Sequence, residues 1–404
     1  MVAKPRFYGN ITPTMTVQQA SFLRDKSYLA AVTSHFFVDV LNNGRLVLLA
    51  IIAVSLQLSN AQVGIFLLLY SLGGSLSQPL FGWLADRFGA RWLVVGGVGW
   101  TTSFYVLTSV LPDWPALVTL TLASLGSGAF HPSGTKVASQ SSDTRRTQAT
   151  AVFFMAGQVG LFVGPILAGS LLDAFGRPGY LGLPLLASLA FLGGWRWLSD
   201  DLHGHHDDLR QQTDTRPRPA ALHLPRAVPA IVVIIIAYNV VSFSAQSFAP
   251  KLFAEQGYSP TYVGWITGLF MMGSAIGVFV GGTLADRVGG RLVTTLAMLG
   301  IILPVYFYIP VGDTLRFPVL LLAGFFGGMP HSIIVLMVQS LLPGRYALAA
   351  GLTLGFMFVS GAIGSYVVGV IADQIGLAVT LQGTAILPLI AVFATFFLPR
   401  RWDN

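Results

Sequence analysis

The chain repeats itself at an offset of 200 residues. Residues 82–91 read Gly-Trp-Leu-Ala-Asp-Arg-Phe-Gly-Ala-Arg, and residues 282–291 read Gly-Thr-Leu-Ala-Asp-Arg-Val-Gly-Gly-Arg. Without a gap, the same shift also pairs Gly64 with Gly264, His131 with His331, Gly164 with Gly364, Asp173 with Asp373, and Gly176 with Gly376. A duplicated unit in an apolar chain predicts two similar halves, in which the shift identifies residues at equivalent depth.

Charged residues make up only 10% of the chain and apolar residues 54%, whereas about a quarter of an ordinary soluble domain is charged. Most of the chain must therefore face lipid or other helices. Twelve stretches are long and apolar enough to cross a hydrocarbon core of about 30 Å. We number them spans 1 to 12, with predicted bounds 29–55, 62–85, 92–111, 116–138, 148–173, 179–199, 227–253, 262–285, 292–311, 317–341, 347–373 and 377–399.

The predicted fold is an all-α membrane protein in which the twelve transmembrane helices form two pseudo-symmetric six-helix bundles. The predicted parts are an N-terminal segment (1–28), an N-terminal bundle (29–199), a linker (200–226), a C-terminal bundle (227–399) and a tail (400–404). We expect no cleavable signal peptide, because the first 28 residues contain no apolar run. The chain has no cysteine, which excludes disulfides and thiolate chemistry.

The distribution of basic residues predicts the orientation. Threading twelve spans places most loop arginines, such as Arg87, Arg145 and Arg287, on one side of the membrane. The other side receives only Arg177, Lys251 and Arg316. The positive-inside rule then puts both termini and the linker in the cytoplasm of a bacterial cell, with the spans in its inner membrane. The net charge of +7 is thus explained by topology, and no nucleic-acid partner is expected.

The linker contains a small cluster of possible metal ligands. His203, His205 and His206 precede Asp207 and Asp208 in a stretch that is too polar to pack. Such a cluster could hold a metal ion, but a solvated linker explains the same composition. We therefore predict no metal and no cofactor, and leave metal binding at these histidines open.

The repeated Gly-x-Leu-Ala-Asp-Arg-x-Gly-x-Arg segment joins spans 2 and 3, and again spans 8 and 9. Its carboxylates, Asp86 and Asp286, are expected at the cytoplasmic surface, where they could bind the positive N-terminus of a helix in the opposite half. Such a contact would hold a gate shut. A tight turn with snorkelling arginines is the alternative, but it does not explain two copies. The predicted gating residues are Asp86, Arg87, Arg91, Asp286, Arg287 and Arg291.

Polar residues inside the spans predict a central site. Asp39 lies about 15 Å into span 1, with His35 one turn before it and Asn42 one turn after it. The repeat pairs Asp39 with Asn239, and His131 of span 4 with His331 of span 10. Buried polar groups are costly unless they line a cavity or find partners. These residues therefore predict the lining of a shared cavity, with a structural hydrogen-bond cluster between helices as the alternative.

Two intramembrane cations add an electrostatic preference. Arg45 is expected either to pair with Asp39 or to attract a substrate, whereas Lys136 can also snorkel to the cytoplasm. Cations and histidines outnumber the carboxylate, so the cavity should favour anions. The predicted proton-coupling residues are His35, Asp39, His131 and His331. The predicted substrate-binding residues are Asn42, Asn43, Arg45, His131, Lys136, Gln158, Asn239, Gln246 and His331.

Proline and glycine patterns predict local helix geometry. Pro132 and Pro330, next to the two histidines, are expected to bend spans 4 and 10. In span 5, Gly160, Gly164 and Gly169 can form a small-residue packing face around a kink at Pro165.

The repeated loop resembles the signature loop of the major facilitator superfamily, the twelve-helix secondary transporters, and this likeness covers nearly the whole chain. Three segments, residues 34–39, 128–138 and 157–169, resemble the fosmidomycin-resistance-type exporters of that superfamily. This resemblance implies proton-driven antiport of small anionic drugs, and roles for His35, Asp39, His131 and Lys136. One position departs from it, since Ser133 stands where an acidic residue is implied.

The predicted function is proton-coupled antiport that exports a small organic anion by alternating access, in a protein that is not an enzyme. The resemblance to the superfamily also implies a monomer. Burial favours the neutral form of a carboxylic acid, which suits Asp39 as the proton carrier. One alternative is proton-driven uptake of a carboxylate or a phosphorylated metabolite. The other is a non-transporting membrane sensor or assembly partner, which would need an output module.

Overall fold

The computed structural model describes residues 22–142, 145–198, 227–342 and 346–398. Within these ranges the chain forms twelve helical spans and no strand, which confirms the predicted fold class. Their bounds are Lys26–Ser55, Asn60–Phe88, Ala90–Val110, Asp113–Gln140, Arg146–Phe175, Gly182–Trp197, Ala227–Glu255, Pro260–Val288, Gly290–Phe307, Asp313–Leu341, Tyr346–Ile375 and Leu377–Thr395.

Ten of the described helices are both long and apolar enough to cross a membrane. The other two are span 4, whose sequence includes His131 and Lys136, and span 6, which has 16 residues. Polar residues therefore lower the mean hydropathy of span 4, which is one of the spans predicted to line the central site.

The internal repeat is visible in the backbone. Gly89 and Gly289 have positive φ angles of 94° and 93°, directly before spans 3 and 9. Gly176 and Gly376 form a second matching pair, with φ of 64° and 91°. Glycine adopts these angles without the steric cost that a Cβ imposes. The two halves thus turn at the same places, each time at a glycine with positive φ.

Two spans are interrupted within the membrane. Span 2 consists of Asn60–Leu76 and Gln78–Phe88, and span 10 of Asp313–Gly328 and Pro330–Leu341. The break in span 10 falls directly before a proline, which cannot donate a backbone hydrogen bond to the preceding turn. Span 4, by contrast, continues as one helix through Pro132. The sequence predicted a bend next to both histidines, but only span 10 is interrupted there.

The two halves pack closely where span 5 meets span 8. A Cβ on Gly264 would lie 2.3 Å from the carbonyl oxygen of Pro165, and one on Gly169 would lie 2.2 Å from that of Pro260. We call the face of the protein at which span 1 begins and span 12 ends the terminal face, and the other side the opposite face. These glycines hold the two backbones together toward the opposite face.

Spans 2 and 11 also meet toward the opposite face. A Cβ on Gly64 would lie 2.9 Å from the Cα of Tyr366, and one on Gly369 would lie 2.5 Å from the carbonyl oxygen of Asn60. The carboxylate of Asp373 accepts hydrogen bonds from the backbone N–H groups of Asn60 and Ala61, at 2.7 and 3.0 Å. Asp373 therefore caps the N-terminus of a helix in the other half.

The sides of spans 5 and 11 that make these contacts are open toward the terminal face. Gly351 and Gly355 lie 18 residues, about five turns, before Gly369 and Asp373, and so share their side of span 11. A Cβ on either glycine would have no neighbour within 4 Å. On span 5, Met155 is 63% exposed although it lies three turns before Ile166, which packs against span 8. The halves therefore separate into a crevice toward the terminal face.

Several sequence predictions fall outside the described residues. These are the linker 200–226 with His203, His205 and His206, the tail 400–404, and most of the N-terminal segment 1–28.

Candidate functional site

Asp39 lies between two histidines in the N-terminal half. Its Oδ2 is 3.2 Å from Nε2 of His35 on the same helix, and its Oδ1 is 3.4 Å from Nε2 of His131 on span 4. The side chains of Asp39 and His35 are buried, with 6% and 3% of each residue exposed. We call these three residues the carboxylate–histidine cluster.

The outer nitrogens of both imidazoles fix their protonation pattern. Nδ1 of His35 lies 2.7 Å from the carbonyl oxygen of Phe153, and Nδ1 of His131 lies 2.8 Å from that of Ser127. A carbonyl oxygen can only accept, so each Nδ1 must carry a hydrogen. In a neutral imidazole with a hydrogen on Nδ1, the Nε2 atom has no hydrogen and carries a lone pair, so both lone pairs would point at the ionised Asp39 carboxylate and be repelled by it. The cluster therefore needs a proton between these atoms, either on an Nε2 or on Asp39.

Span 5 approaches the cluster without a side chain in between. A Cβ on Gly157 would lie 2.5 Å from Nε2 of His35 and 2.6 Å from Oδ2 of Asp39. Phe153, one turn earlier, stacks on the ring of His35 with 4.1 Å between centroids. Gly160 and Gly164 continue this close packing, each with its would-be Cβ 2.3 Å from a carbonyl oxygen of span 1. The glycine face predicted for span 5 therefore packs mainly against span 1.

A chain of hydrogen bonds leads from the cluster to Arg45. The amide nitrogen of Asn42 donates to Oδ1 of Asp39 at 2.9 Å and to Oγ of Ser127 at 3.0 Å. The hydroxyl of Tyr70 donates to the amide oxygen of Asn42 at 2.6 Å. The guanidinium carbon of Arg45 lies 3.7 Å from the centroid of the Tyr70 ring. Among the described residues Asp39 forms its ion pairs with the two histidines, so the expected pairing of Arg45 with Asp39 is not observed.

Arg45 borders a cavity between the two halves. Spans 1, 2, 7 and 11 meet there, and the lining residues are Asn43, Arg45, Leu46, Leu67, Ser71, Phe243, Gln246, Ser247, Ala362 and Ser365. Nε of Arg45 is buried and has no hydrogen-bond partner among the described residues. A cation with a free donor in a mostly neutral cavity is suited to a small anion.

Two of the predicted amides link the halves across this cavity. Nε2 of Gln246 on span 7 donates to Oδ1 of Asn43 at 3.0 Å, and Nδ2 of Asn43 donates to the carbonyl oxygen of Leu161 at 2.6 Å. The predicted residue Gln158 is exposed on the side of span 5 that faces the crevice. These three residues therefore lie where the halves meet or separate.

The other predicted substrate residues lie apart from the cavity lining. Nδ2 of Asn239 donates to the carbonyl oxygen of Ile235 in its own helix. His331 is partly buried, and no hydrogen bond to it is described within the resolved parts of the chain. Nζ of Lys136 donates to Asp86 at 2.8 Å and to the carbonyl oxygen of Ala85 at 3.2 Å. Both halves thus line the cavity, whereas the carboxylate–histidine cluster lies in the N-terminal half alone.

The predicted gating residues lie at the terminal face. Asp86 pairs with Lys136 of its own half, and Asp286 is exposed. Arg91 and Arg291 donate to the backbone carbonyls of Trp195 and Leu398, at 3.3 and 3.1 Å, which ties spans 3 and 9 to the ends of spans 6 and 12. The guanidinium of Arg87 lies over the ring of Trp83, at 5.5 Å, and Arg287 is exposed.

The sequence did not identify every residue of the site. Tyr70, Tyr105 and Phe153 look like ordinary apolar core residues, and only the structure brings them to polar partners. Ser127 was recognisable in principle, because it lies one turn before His131. Among the described residues, the nitrogen and oxygen atoms of the carboxylate–histidine cluster, all within 4.8 Å of one another, are also close enough to hold a metal ion.

Three comparisons with known proteins agree with this architecture. The fosmidomycin resistance protein of Escherichia coli K12 is 27% identical over 99% of this chain and 98% of its own length. The 3-(3-hydroxy-phenyl)propionate transporter of the same organism is 26% identical over 69% of this chain and 68% of its own. A bacterial homologue of the human lysosomal transporter Spinster, solved in an inward-facing and occupied conformation, has the same fold, with a TM-score of 0.77 at 15% identity over 91% of this chain and 95% of that one.

The family model described as Major Facilitator Superfamily matches residues 31–254 and 230–403, which together span almost the whole chain. Its relatives and its fold are those of membrane transporters and not of enzymes. The chain is a multi-pass membrane protein and belongs to the Major Facilitator Superfamily.

Proposed function

We propose that this transporter is a proton-coupled antiporter that exports a small organic anion. Proton coupling is supported by the position of the Asp39 carboxylate between the Nε2 atoms of His35 and His131. The Nδ1 atom of each histidine already donates to a backbone carbonyl, so a further proton must lie between an Nε2 atom and Asp39. The orientation follows from the basic loops, which put the terminal face in the cytoplasm. In this orientation the crevice opens to the cytoplasm, and the rocking of the halves about the central cavity provides alternating access.

The anion preference rests on Arg45 and on the relatives. Arg45 is the charged residue among the described residues that line the cavity, and none of these lining residues is a carboxylate. Two relatives are named for fosmidomycin, a phosphonate, and for 3-(3-hydroxy-phenyl)propionate, a carboxylate. The name of the first, a resistance protein matched along 99% of the chain, supports export.

The deciding experiment uses purified protein in proteoliposomes with an imposed pH gradient and a clamped membrane potential. Labelled fosmidomycin and 3-(3-hydroxy-phenyl)propionate serve as probes. Antiport predicts that the probe leaves the compartment that receives the protons, and that proton entry accelerates when the probe is added. Probe movement with the protons, in the same direction, would reject antiport.

Proton-driven uptake is a second candidate, and electrostatics favours it. A proton added near Asp39 attracts an anion at Arg45, so the direct interaction between the two sites promotes their joint occupancy. Joint occupancy is the behaviour of a symporter. The relative that transports 3-(3-hydroxy-phenyl)propionate is not named for resistance. The direction of probe movement in the same assay distinguishes the two candidates.

We expect Arg45→Gln to weaken anion binding about ten- to a hundredfold, because a charge-assisted hydrogen bond contributes about 1.5–3 kcal/mol. The measurement is the Kd of fosmidomycin for the purified protein by calorimetry. Arg196→Gln, which removes an exposed cation at the end of span 6, is the control and should leave the Kd unchanged. Equal Kd values for the Arg45 variant and the wild type would remove Arg45 from the site.

We expect Asp373→Asn to loosen the closed opposite face. The variant loses the negative charge at the N-terminus of span 2, an interaction that contributes about 0.3–1 kcal/mol. Because the chain has no cysteine, a single Ala61→Cys reporter can measure access by its rate of maleimide labelling, which should rise about two- to fivefold. Asp173→Asn is the matched control, since Asp173 is the repeat counterpart and is exposed without a described partner. A rate unchanged by Asp373→Asn would contradict the capping role.

A further inference from the structure

We propose that Tyr70 links the carboxylate–histidine cluster to the anion cavity, so that a proton bound at the cluster lowers the affinity of the cavity for an anion. The inference rests on the proposed function. Antiport requires that a bound proton weakens anion binding, whereas the direct attraction between a proton and an anion strengthens it, so another interaction must oppose that attraction.

Tyr70 makes two contacts that no other described residue combines. Its hydroxyl donates to the amide oxygen of Asn42 at 2.6 Å, and its ring lies under the guanidinium of Arg45 at 3.7 Å. The residue is 8% exposed, so it is held by protein on nearly all sides. A shift of the Tyr70 hydroxyl therefore also shifts the ring that contacts the guanidinium of Arg45.

Asn42 transmits the state of the cluster to Tyr70. Its amide nitrogen donates to Asp39 and to Ser127, at 2.9 and 3.0 Å. Oγ of Ser127 lies 3.2 Å from Nδ1 of His131, so both acceptors of the amide belong to the cluster or touch it. With both donors engaged, the amide oxygen must point at the Tyr70 hydroxyl.

The sign of the coupling follows from these donors and acceptors. An ionised Asp39 is a strong acceptor, so it holds the Asn42 amide in place and thereby keeps the Tyr70 ring under Arg45. A proton taken up by the cluster weakens this acceptor, whether it lies on Asp39 or on Nε2 of His131, because that nitrogen faces the same Oδ1 atom that accepts from Asn42. The amide of Asn42 is then free to turn, the Tyr70 hydroxyl loses its acceptor, and the Tyr70 ring no longer supports Arg45. An anion should therefore bind best before the cluster takes up this proton, and the proton should expel it.

The direct electrostatic effect works against this link. Asp39 and Arg45 are six residues apart, about 9 Å along span 1. The charged or titratable groups that face Asp39 are His35 and His131, and those that face Tyr70 are Arg45 and Tyr105, with Tyr180 stacked behind Tyr105. Without the link, only the attraction between the added proton and the anion would remain.

The test is the Kd of 3-(3-hydroxy-phenyl)propionate, whose charge is constant over this range, for the purified full-length protein at about pH 6 and about pH 8, on either side of the usual histidine range. The wild type should bind several-fold more weakly at the lower pH. Tyr70→Phe keeps the ring under Arg45 but loses the hydroxyl. It should therefore still bind the anion, with a pH dependence that disappears or changes sign.

Two further variants separate the link from a general loss of structure. Asn42→Ala removes the middle of the link and should change the pH dependence in the same way. Tyr105→Phe removes the hydroxyl that lies 3.1 Å from that of Tyr70 and leaves the bond to Asn42 in place, so the wild-type pH dependence should remain. Thermal unfolding of each variant shows whether it is folded.

The outcomes distinguish this inference from the proposed function. A wild-type Kd that falls or stays constant at low pH would contradict antiport, and the link with it. A wild-type Kd that rises at low pH, together with an identical rise in Tyr70→Phe and Asn42→Ala, would leave antiport standing and overturn the role of Tyr70. A loss of pH dependence in Tyr105→Phe as well would assign the effect to the tyrosine pair and contradict the specific path through Asn42.

Discussion

Replacing Asp39 by asparagine is expected to abolish the accumulation of substrate that a pH gradient drives. With one proton exchanged per anion and the membrane potential clamped, a gradient of about one pH unit supports a substrate ratio of about ten, because both correspond to about 1.4 kcal/mol. Asparagine is almost the same size as aspartate but cannot take up the proton. The ratio in Asp39→Asn proteoliposomes should therefore fall to about one.

Substrate exchange should survive this change. Labelled and unlabelled fosmidomycin can exchange across the membrane by the rocking of the halves alone, without a proton. The control variant is Asp113→Asn, which neutralises an exposed carboxylate at the start of span 4, and it should accumulate the probe like the wild type. If Asp39→Asn still accumulates the probe tenfold, Asp39 does not carry the coupling proton, and its role in the proposed mechanism is wrong.

The sequence predicted the fold and one side of the site. Helical periodicity placed His35, Asp39 and Asn42 on one face of span 1, and all three lie together in the structure. This succeeded because residues one turn apart must be neighbours in any helix. The twelve spans were predictable for a similar reason, since the thickness of a membrane fixes the length of an apolar helix.

The contacts between spans were only partly predictable. The repeat predicted the same role for His131 and His331, but of these two histidines only His131 lies next to Asp39. Likewise, the counterpart of Asp39 is Asn239, whose amide bonds to its own helix. A duplicated sequence preserves depth, whereas the rotation of each helix about its axis depends on the packing of all its neighbours.

Tyr70 shows what sequence reasoning cannot find. It is one of twelve tyrosines, in an apolar helix without any local motif. Its importance comes from three contacts, with Asn42 and Arg45 on span 1 and with Tyr105 on span 3, none of which is local in sequence. Lys136 shows the converse case, because a salt bridge with Asp86 places at the terminal face a cation that the sequence assigned to the substrate.

Replacing Gly264 by valine should change which face of the transporter is open. A Cβ at this position would lie 2.3 Å from the carbonyl oxygen of Pro165 and 3.2 Å from the Cα of Ile166. Both are backbone atoms of span 5, so no side-chain rotation can relieve the clash. Overpacking of this kind costs about 1–3 kcal/mol, and here it penalises only the conformation in which spans 5 and 8 touch at the opposite face.

The expected result is a shift of about five- to a hundredfold toward the conformation that opens to the opposite face. Two single-cysteine reporters measure it separately: Ala61→Cys at the opposite face, and Gly355→Cys in the crevice. In the Gly264 variant, maleimide labelling should become faster at the first reporter and slower at the second. Opposite changes at the two positions are the signature of an altered equilibrium, since unfolding would speed both.

Gly96→Val provides the matched control. This glycine also lies inside a span, but a Cβ there would meet no atom within 4 Å, so valine adds the same side chain without a clash between the halves. Labelling at both reporters should match that of the unmodified background. If Gly264→Val also leaves both rates unchanged, the close approach of spans 5 and 8 does not hold the opposite face shut. The cross-half contacts of Asp373 and Gln246 would then have to close it without that packing.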